Sequence, residues 1–354
     1  MTPKFALKLA LSLVMGVVCV WLALTGVDRR AVMQSLHDLP ARAIVAYLGI
    51  LALTHLFRAW RWEFLLRPLG VSVPLKRLLP ISSAGFMAIL ALPVRLGEFV
   101  RPYFLTRERG INVRMSSALG TVAVERIIDG LLISILFFGA YLVSAGDHFT
   151  RELRVGAWLS IVGFVALTSF LALARVWPER TISFALRLTL LQRFAPKRAH
   201  QAGDKLRALI SGFDALADRR NFGIFLAQSI IYWGLNGFGM WLLAREMGLP
   251  ISLGAAYVTM AFTGVILSLP NSPGLVGQFH LAIKLGLLGY LPAAVVNTRG
   301  MAYAIVLHGV QTVWYVGIGL LSLPALSATG RPASLGAAVR ESNRVAEDVA
   351  AGGM

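Results

Sequence analysis

What most constrains this chain is the length of its apolar blocks. Six of them, at 5–24, 41–57, 116–144, 155–174, 222–244 and 301–323, run mostly 17 to 25 residues with few charges. At ~1.5 Å of helical rise per residue, such a block reaches across the ~30 Å hydrocarbon layer of a bilayer. With only 14% charged residues, the chain also lacks the charge that a soluble domain of 354 residues needs on its surface. Lipid is therefore its solvent. Since lipid cannot bond to backbone groups, each span must satisfy its own. The expected fold class is all-α, a polytopic transmembrane helix bundle.

A net charge of +17 would point to nucleic acid in a soluble protein. Here the basic residues sit mainly between the apolar blocks, where they orient the spans and face anionic headgroups. Membrane lipids are the expected partners, and nucleic acid is not. The one cysteine, Cys19, cannot build a disulfide, zinc or haem site alone and reads as packing. Lys4 and Lys8 precede an apolar run too long for a signal peptide, with no clear cleavage site after it, so the run is expected to stay as a first span.

Two further apolar stretches, 78–104 and 253–290, are each broken in the middle by Pro, Gly and polar residues. Ile89-Leu90-Ala91-Leu92-Pro93 matches Ile266-Leu267-Ser268-Leu269-Pro270 at an offset of 177 residues, half the chain, and Gly97 and Gly274 follow the two prolines at the same distance. Broken backbone at membrane depth is tolerated only against protein or a wet cavity. Both stretches therefore read as re-entrant hairpins. Six full crossings remain, or seven to eight if a hairpin arm spans. The halves, about 1–145 and 153–324, become inverted repeats of one transmembrane domain at 1–324. With the N-terminus inside, the inner pieces (the N-terminal end, 58–77, 101–114, 175–220 and the tail) hold 24 basic residues against 7 outside. Were each hairpin one crossing, the loop 175–220 with its ten basic residues would lie outside, against the positive-inside rule. Within that loop Leu206, Leu209, Ile210, Phe213 and Leu216 keep helical spacing, which suits a helix on the lipid interface or on the bundle's own face. The tail 325–354 has no pattern and is expected to be a disordered cytoplasmic tail.

Charge inside a membrane costs ~2.5–3.5 kcal/mol per residue on insertion scales, so three groups need a reason. Arg95, Gly97, Glu98 and Arg101 lie in the first hairpin. Glu98 and Arg101 can pair across one helical face, leaving Arg95 for a phosphate; alternatively all three charges clasp the hairpin. Glu125, Arg126 and Asp129 sit ~14–20 Å into the third span, near mid-membrane, as a substrate or proton route or as a packed triad. The second hairpin carries Pro270, Asn271, Pro273, Gly274, Gly277 and His280. Its glycines can turn backbone N–H groups toward an anion; His280 can titrate near neutral pH or simply pack; and Lys284 can snorkel to the outer interface. No DxD, DDxxD, HxxxH or Gly-rich phosphate loop is present, so no metal or cofactor is expected.

Taken in order, RLGExxRP at Arg95–Pro102, ERxxD at Glu125–Asp129 and PxxPGxxGxF at Pro270–Phe279 resemble the lysylphosphatidylglycerol synthase transmembrane region, a flippase-like membrane domain family, over about 4–323. The resemblance implies a lipid-handling domain. Its best-known members move aminoacylated phosphatidylglycerol to the outer leaflet, and relatives are linked to polyprenyl-phosphate sugar pathways and hopanoid gene clusters. Aminoacyl transfer belongs, in those members, to a separate soluble domain of several hundred residues; with about 30 residues after the last span, synthesis of lysyl-lipid is not expected of this chain. The family often has Glu where His280 stands, which leaves an acid-dependent role at that position, and the lipid's identity, open.

The expectation is a lipid translocase of a bacterial inner membrane with both termini cytoplasmic. It is not expected to be an enzyme. Arg95, Arg101 and Arg126 would hold an anionic head, and Glu98, Glu125 and Asp129 would keep those arginines poised. The alternatives are a membrane-embedded enzyme on lipid-linked sugar or phosphate, with Glu125 or Asp129 as base, and a non-transporting scaffold for cell-envelope biosynthesis enzymes.

Overall fold

The computed structural model describes residues 3–92, 97–143, 150–177, 218–268 and 272–329, with Glu179, Arg180 and Ser183. The regular structure there is helical throughout, without strands among the described residues. Each of the six expected crossings is one helix of 22 to 29 residues: α1 (Pro3–Leu24), α3 (Ala41–Leu66), α6 (Met115–Val143), α7 (Arg151–Val176), α8 (Arg219–Glu246) and α11 (Met301–Thr329). Among the described residues, Ala41–Leu69, Arg151–Ser169 and Ala293–Leu326 meet a strict length and hydropathy test for a crossing. A fourth does so if Ala10–Leu24 and Arg29–His37, bent by 88°, form one span. Apolar side chains on outward faces, such as Val17, Leu159 and Leu321, stay exposed, as expected of surfaces that meet lipid rather than water. The chain is a multi-pass helical membrane protein.

Local chemistry explains the ends. The short α2 (Arg29–His37) starts where Asp28 accepts bonds from the Arg30 and Ala31 amides at 3.0 and 3.1 Å. At the start of α8 Asp218 does the same for Arg220 and Asn221. The Asn221 amides, ahead of Arg220, hold the Asp218 carboxyl below its ordinary range. The first difference from the sequence expectation is in α3, which continues past Phe57 to Leu66. Nothing between Ala41 and Pro68 breaks a helix, so propensity carries it on until Arg67-Pro68-Leu69 tightens into a 3-10 turn closed by left-handed Gly70. The second is in α11, which runs past Pro324 to Thr329. The interfacial helix expected around Leu206–Leu216 and the tail from 330 lie outside the described residues.

Both broken segments are broken as expected, and in the same order. The first is helix α4 (Leu75–Ala91), a break, a 3-10 turn at 97–99, and helix α5 (Val100–Arg107). The second is helix α9 (Leu253–Ile266), a break, a 3-10 turn at Pro273–Leu275, and helix α10 (Gln278–Leu287). Their packing is reciprocal. The first half's α4 lies on the second half's last helix α11, while α9 lies on α6, and α3 pairs with α8. Glycine permits the close approaches: Gly319 of α11 admits Met87 of α4, and Gly264 of α9 admits Ile133 of α6.

The second broken segment is tied to α1. Gly277 has φ +85°, and a Cβ there would lie 2.6 Å from the Gly16 carbonyl oxygen and 2.7 Å from the Val20 nitrogen. Lys284, expected at the outer interface, is instead buried, and its Nζ donates to the Ala23 and Thr25 carbonyls at 3.1 and 2.5 Å, capping α1. Charge-assisted bonds are worth about 1.5–3 kcal/mol each. Lys284→Met, matched in length but unable to donate, is expected to destabilise by at least one such bond, read as a lower thermal midpoint in detergent. An unchanged midpoint would show that the cap is dispensable.

Candidate functional site

Three helices bring charge to one level. Glu125 stands ten residues into α6 and Ser229 ten residues into α8, while Arg58 and Arg61 lie toward the far end of α3, which runs the other way. Ten residues are ~15 Å of helix, so the groups meet at one depth, well inside the bundle. Arg61 is the hub. Its Nη1 and Nη2 grip the Asp129 carboxylate in a fork at 2.5 and 2.7 Å; Nη2 also reaches Glu125 Oε1 at 3.0 Å, and Nη1 donates to Ser229 Oγ at 3.0 Å. Trp233 Nε1 donates to Asp129 at 3.0 Å. From α5, Arg101 donates to both Glu125 oxygens at 3.2 and 3.0 Å while its guanidinium lies 4.2 Å over Trp62. Arg126 adds a third cation to Glu125 at 3.1 Å. Arg61, Arg101 and Glu125 are wholly buried and Asp129 nearly so. Burial of charge on this scale is tolerable only because the geometry is bidentate and the acceptors are shared.

Beside this cluster lies a cavity of about 400 Å³. Arg58, Glu98, Arg126 and Asp129 supply its charge, and Tyr232, Trp233, Asn236, Gln311 and Tyr315 its neutral polar groups. Both broken segments wall it: Phe86, Ile89 and Leu90 from the first, Thr263, Leu267, Leu275 and Phe279 from the second. Toward α7 the lining is apolar, with Phe164 seated against Gly130, and Leu167 of that wall is 40% exposed on the protein's surface. A charged floor thus grades into a greasy wall that reaches the lipid-facing side.

Of the residues singled out in the sequence, Glu98, Arg101, Glu125, Arg126 and Asp129 come together at this cluster and cavity. The ion pair Arg101 makes is with Glu125, on another helix, rather than across its own turn. Gly97 lets the 3-10 turn of the first broken segment press on the Ala88–Ile89 backbone, where a Cβ has no room. Pro273, Gly274 and Gly277 form the end of the second break, and His280 sits in the first turn of α10. His308 Nε2 donates to the Gly274 carbonyl at 2.8 Å, and the His280 ring meets the His308 ring edge-on at 4.9 Å. That segment reaches the cavity through Leu275 and Phe279. Arg95, Pro270 and Asn271 lie outside the described residues. Sequence reasoning missed Arg58 and Arg61 by placing them in a cytoplasmic loop. The signal was there: from Leu56 to Leu66 the residues are apolar or aromatic apart from Glu63 and the two arginines, which share a face.

The described residues define a polytopic helical membrane protein built around a charged cavity that both halves enclose. The chain matches the model of the lysylphosphatidylglycerol synthase transmembrane region over residues 5–319, and it belongs to that family. No curated protein and no solved structure matches it. Family membership makes it a membrane protein of lipid-related function.

Proposed function

We propose that this protein is a flippase-like translocase that carries a lipid with an anionic head between leaflets. The observation that carries the proposal is the cavity: guanidinium groups at its floor suit a phosphate head, and the apolar wall beside α7 lets the tails stay in lipid. The reciprocal packing of α4 on α11 and α9 on α6 supports two inverted repeats closing on one site, an arrangement suited to alternating access. A bacterial inner membrane with both termini cytoplasmic fits the charge distribution. Removing Arg58, Arg61 and Arg101 from the inner pieces still leaves 21 basic residues against 7. An anionic phospholipid, an aminoacyl-phospholipid, a polyprenyl phosphate and a hopanoid-type lipid are the cargo classes in keeping with this reading, with biosynthetic enzymes of the envelope as upstream or downstream partners.

Arg126→Ala tests it. Glu125 keeps Arg61 and Arg101, so the fold should survive, while the cavity loses a cation. In proteoliposomes carrying a fluorescent phosphatidylglycerol, leaflet exchange is expected to fall to the protein-free rate with an unchanged elution profile. Exchange at the wild-type rate would refute the assignment.

A further inference from the structure

Resting on the translocase reading, we infer that Arg58, together with Arg126, is the receptor for a phosphate group, and that the bound phosphate completes a charge cluster left one anion short. The cluster holds four guanidiniums, of Arg58, Arg61, Arg101 and Arg126, against the carboxylates of Glu125 and Asp129. Glu98 on the cavity wall raises the carboxylates to three and still leaves a cation in excess among the described residues.

The four arginines are not equivalent. Arg61 spends both terminal nitrogens on Asp129, Glu125 and Ser229, and Arg101 is committed to Glu125 away from the cavity lining. Arg58 has no carboxylate within ion-pairing distance among the described residues. Aromatic rings hold it instead, with its guanidinium 3.9 Å from the centre of Phe86, 5.6 Å from Tyr315 and 6.0 Å from Tyr232. Rings steady a cation without neutralising it. All four arginines have an Nε buried without a hydrogen-bond partner, and Arg101 an Nη2 as well, but among the four only Arg58 and Arg126 line the cavity and can turn such groups toward a ligand there. Two planar donor forks with unspent N–H groups on one cavity match the oxygens of a phosphate, which accepts bidentate bonds that a lysine cannot offer. Tyr232 and Tyr315, on the same cavity, can donate to a remaining oxygen.

The phosphate could belong to a lipid head or be free in solution, and the test separates these sources. Thermal midpoints of the purified full chain are measured with dihexanoyl phosphatidylglycerol and with inorganic phosphate, for wild type, Arg58→Gln, Arg58→Lys and the surface control Arg42→Gln. Stabilisation by the lipid alone assigns the site to a headgroup; equal stabilisation by inorganic phosphate assigns it to the free anion. In either case the apparent affinity should fall at least tenfold in Arg58→Gln, fall less in Arg58→Lys, and hold in Arg42→Gln. Equal affinity in wild type and Arg58→Gln, or no stabilisation by either probe, would overturn the inference. Binding lost in Arg58→Gln without any leaflet exchange by wild type would refute the translocase alone. Exchange retained in Arg58→Gln would refute the receptor and leave the translocase standing.

Discussion

Arg61→Ala is expected to destabilise the bundle by about 3–5 kcal/mol, enough that little folded protein survives extraction. The side chain is wholly buried and neutralises two carboxylates from α6 at once. Its removal strands Asp129, whose remaining bond is from Trp233, and takes from Glu125 one of three cations. Most of the effect is thus the exposure of a buried charge to a medium that cannot solvate it, rather than the loss of an attractive pair. That distinction can be measured. Combining Arg61→Met with Asp129→Asn removes one charge of each sign and leaves Glu125 to Arg101 and Arg126, and such paired replacements are often neutral in stability. The double variant should recover most of the thermal midpoint lost in the single one, yet move no lipid. If Arg61→Ala folds as well as wild type, Arg61 is not the hub of the cluster.

Gly277→Ala should be nearly as damaging, for steric reasons. At φ +85° and ψ −57°, outside the left-handed helical region, an L side chain costs roughly 1–3 kcal/mol. The new methyl would also meet the backbone of α1 at Gly16 and Val20, which cannot rotate away, and overpacking adds about 1–3 kcal/mol. Gly110→Ala is the comparison for a positive φ alone. Its φ is +77°, and open space surrounds it, so it carries a positive-φ strain without the clash. A thermal midpoint lowered far more by Gly277→Ala than by Gly110→Ala separates the two contributions; equal losses would mean that α1 gives way freely.

The helical class, the six long helices and both breaks were legible because each rests on a local signal: block length, or Pro and Gly inside an apolar run. The acidic half of the site was legible for the same reason, since Glu125 and Asp129 stand out from the apolar residues around them. The basic half was not. Arg58 and Arg61 end a span that is followed by Arg67 and Lys76, and a run of positive charge after an apolar block reads as a cytoplasmic loop. What moves Arg61 inside, and Arg58 one turn before it, is Arg61's pairing with α6, 64 to 68 positions away, and with Ser229 at 168, which no local pattern encodes. Lys284 misled similarly: its partners are main-chain carbonyls of α1, about 260 positions earlier, and a carbonyl leaves no mark in a sequence.

The distance in sequence between Arg61 and its carboxylates is also an interval of time. A ribosome adds ~5–20 residues each second, so the 64 residues from Arg61 to Glu125 take roughly 3 to 13 s to make. Throughout that interval Arg61 lacks both carboxylates that later hold it, and an arginine at membrane depth costs ~2.5–3.5 kcal/mol. The end of α3 is therefore expected to stay near the water interface until α6 is delivered. During its own birth this stretch is the loop that its sequence resembles, and only a later part of the chain turns it into membrane.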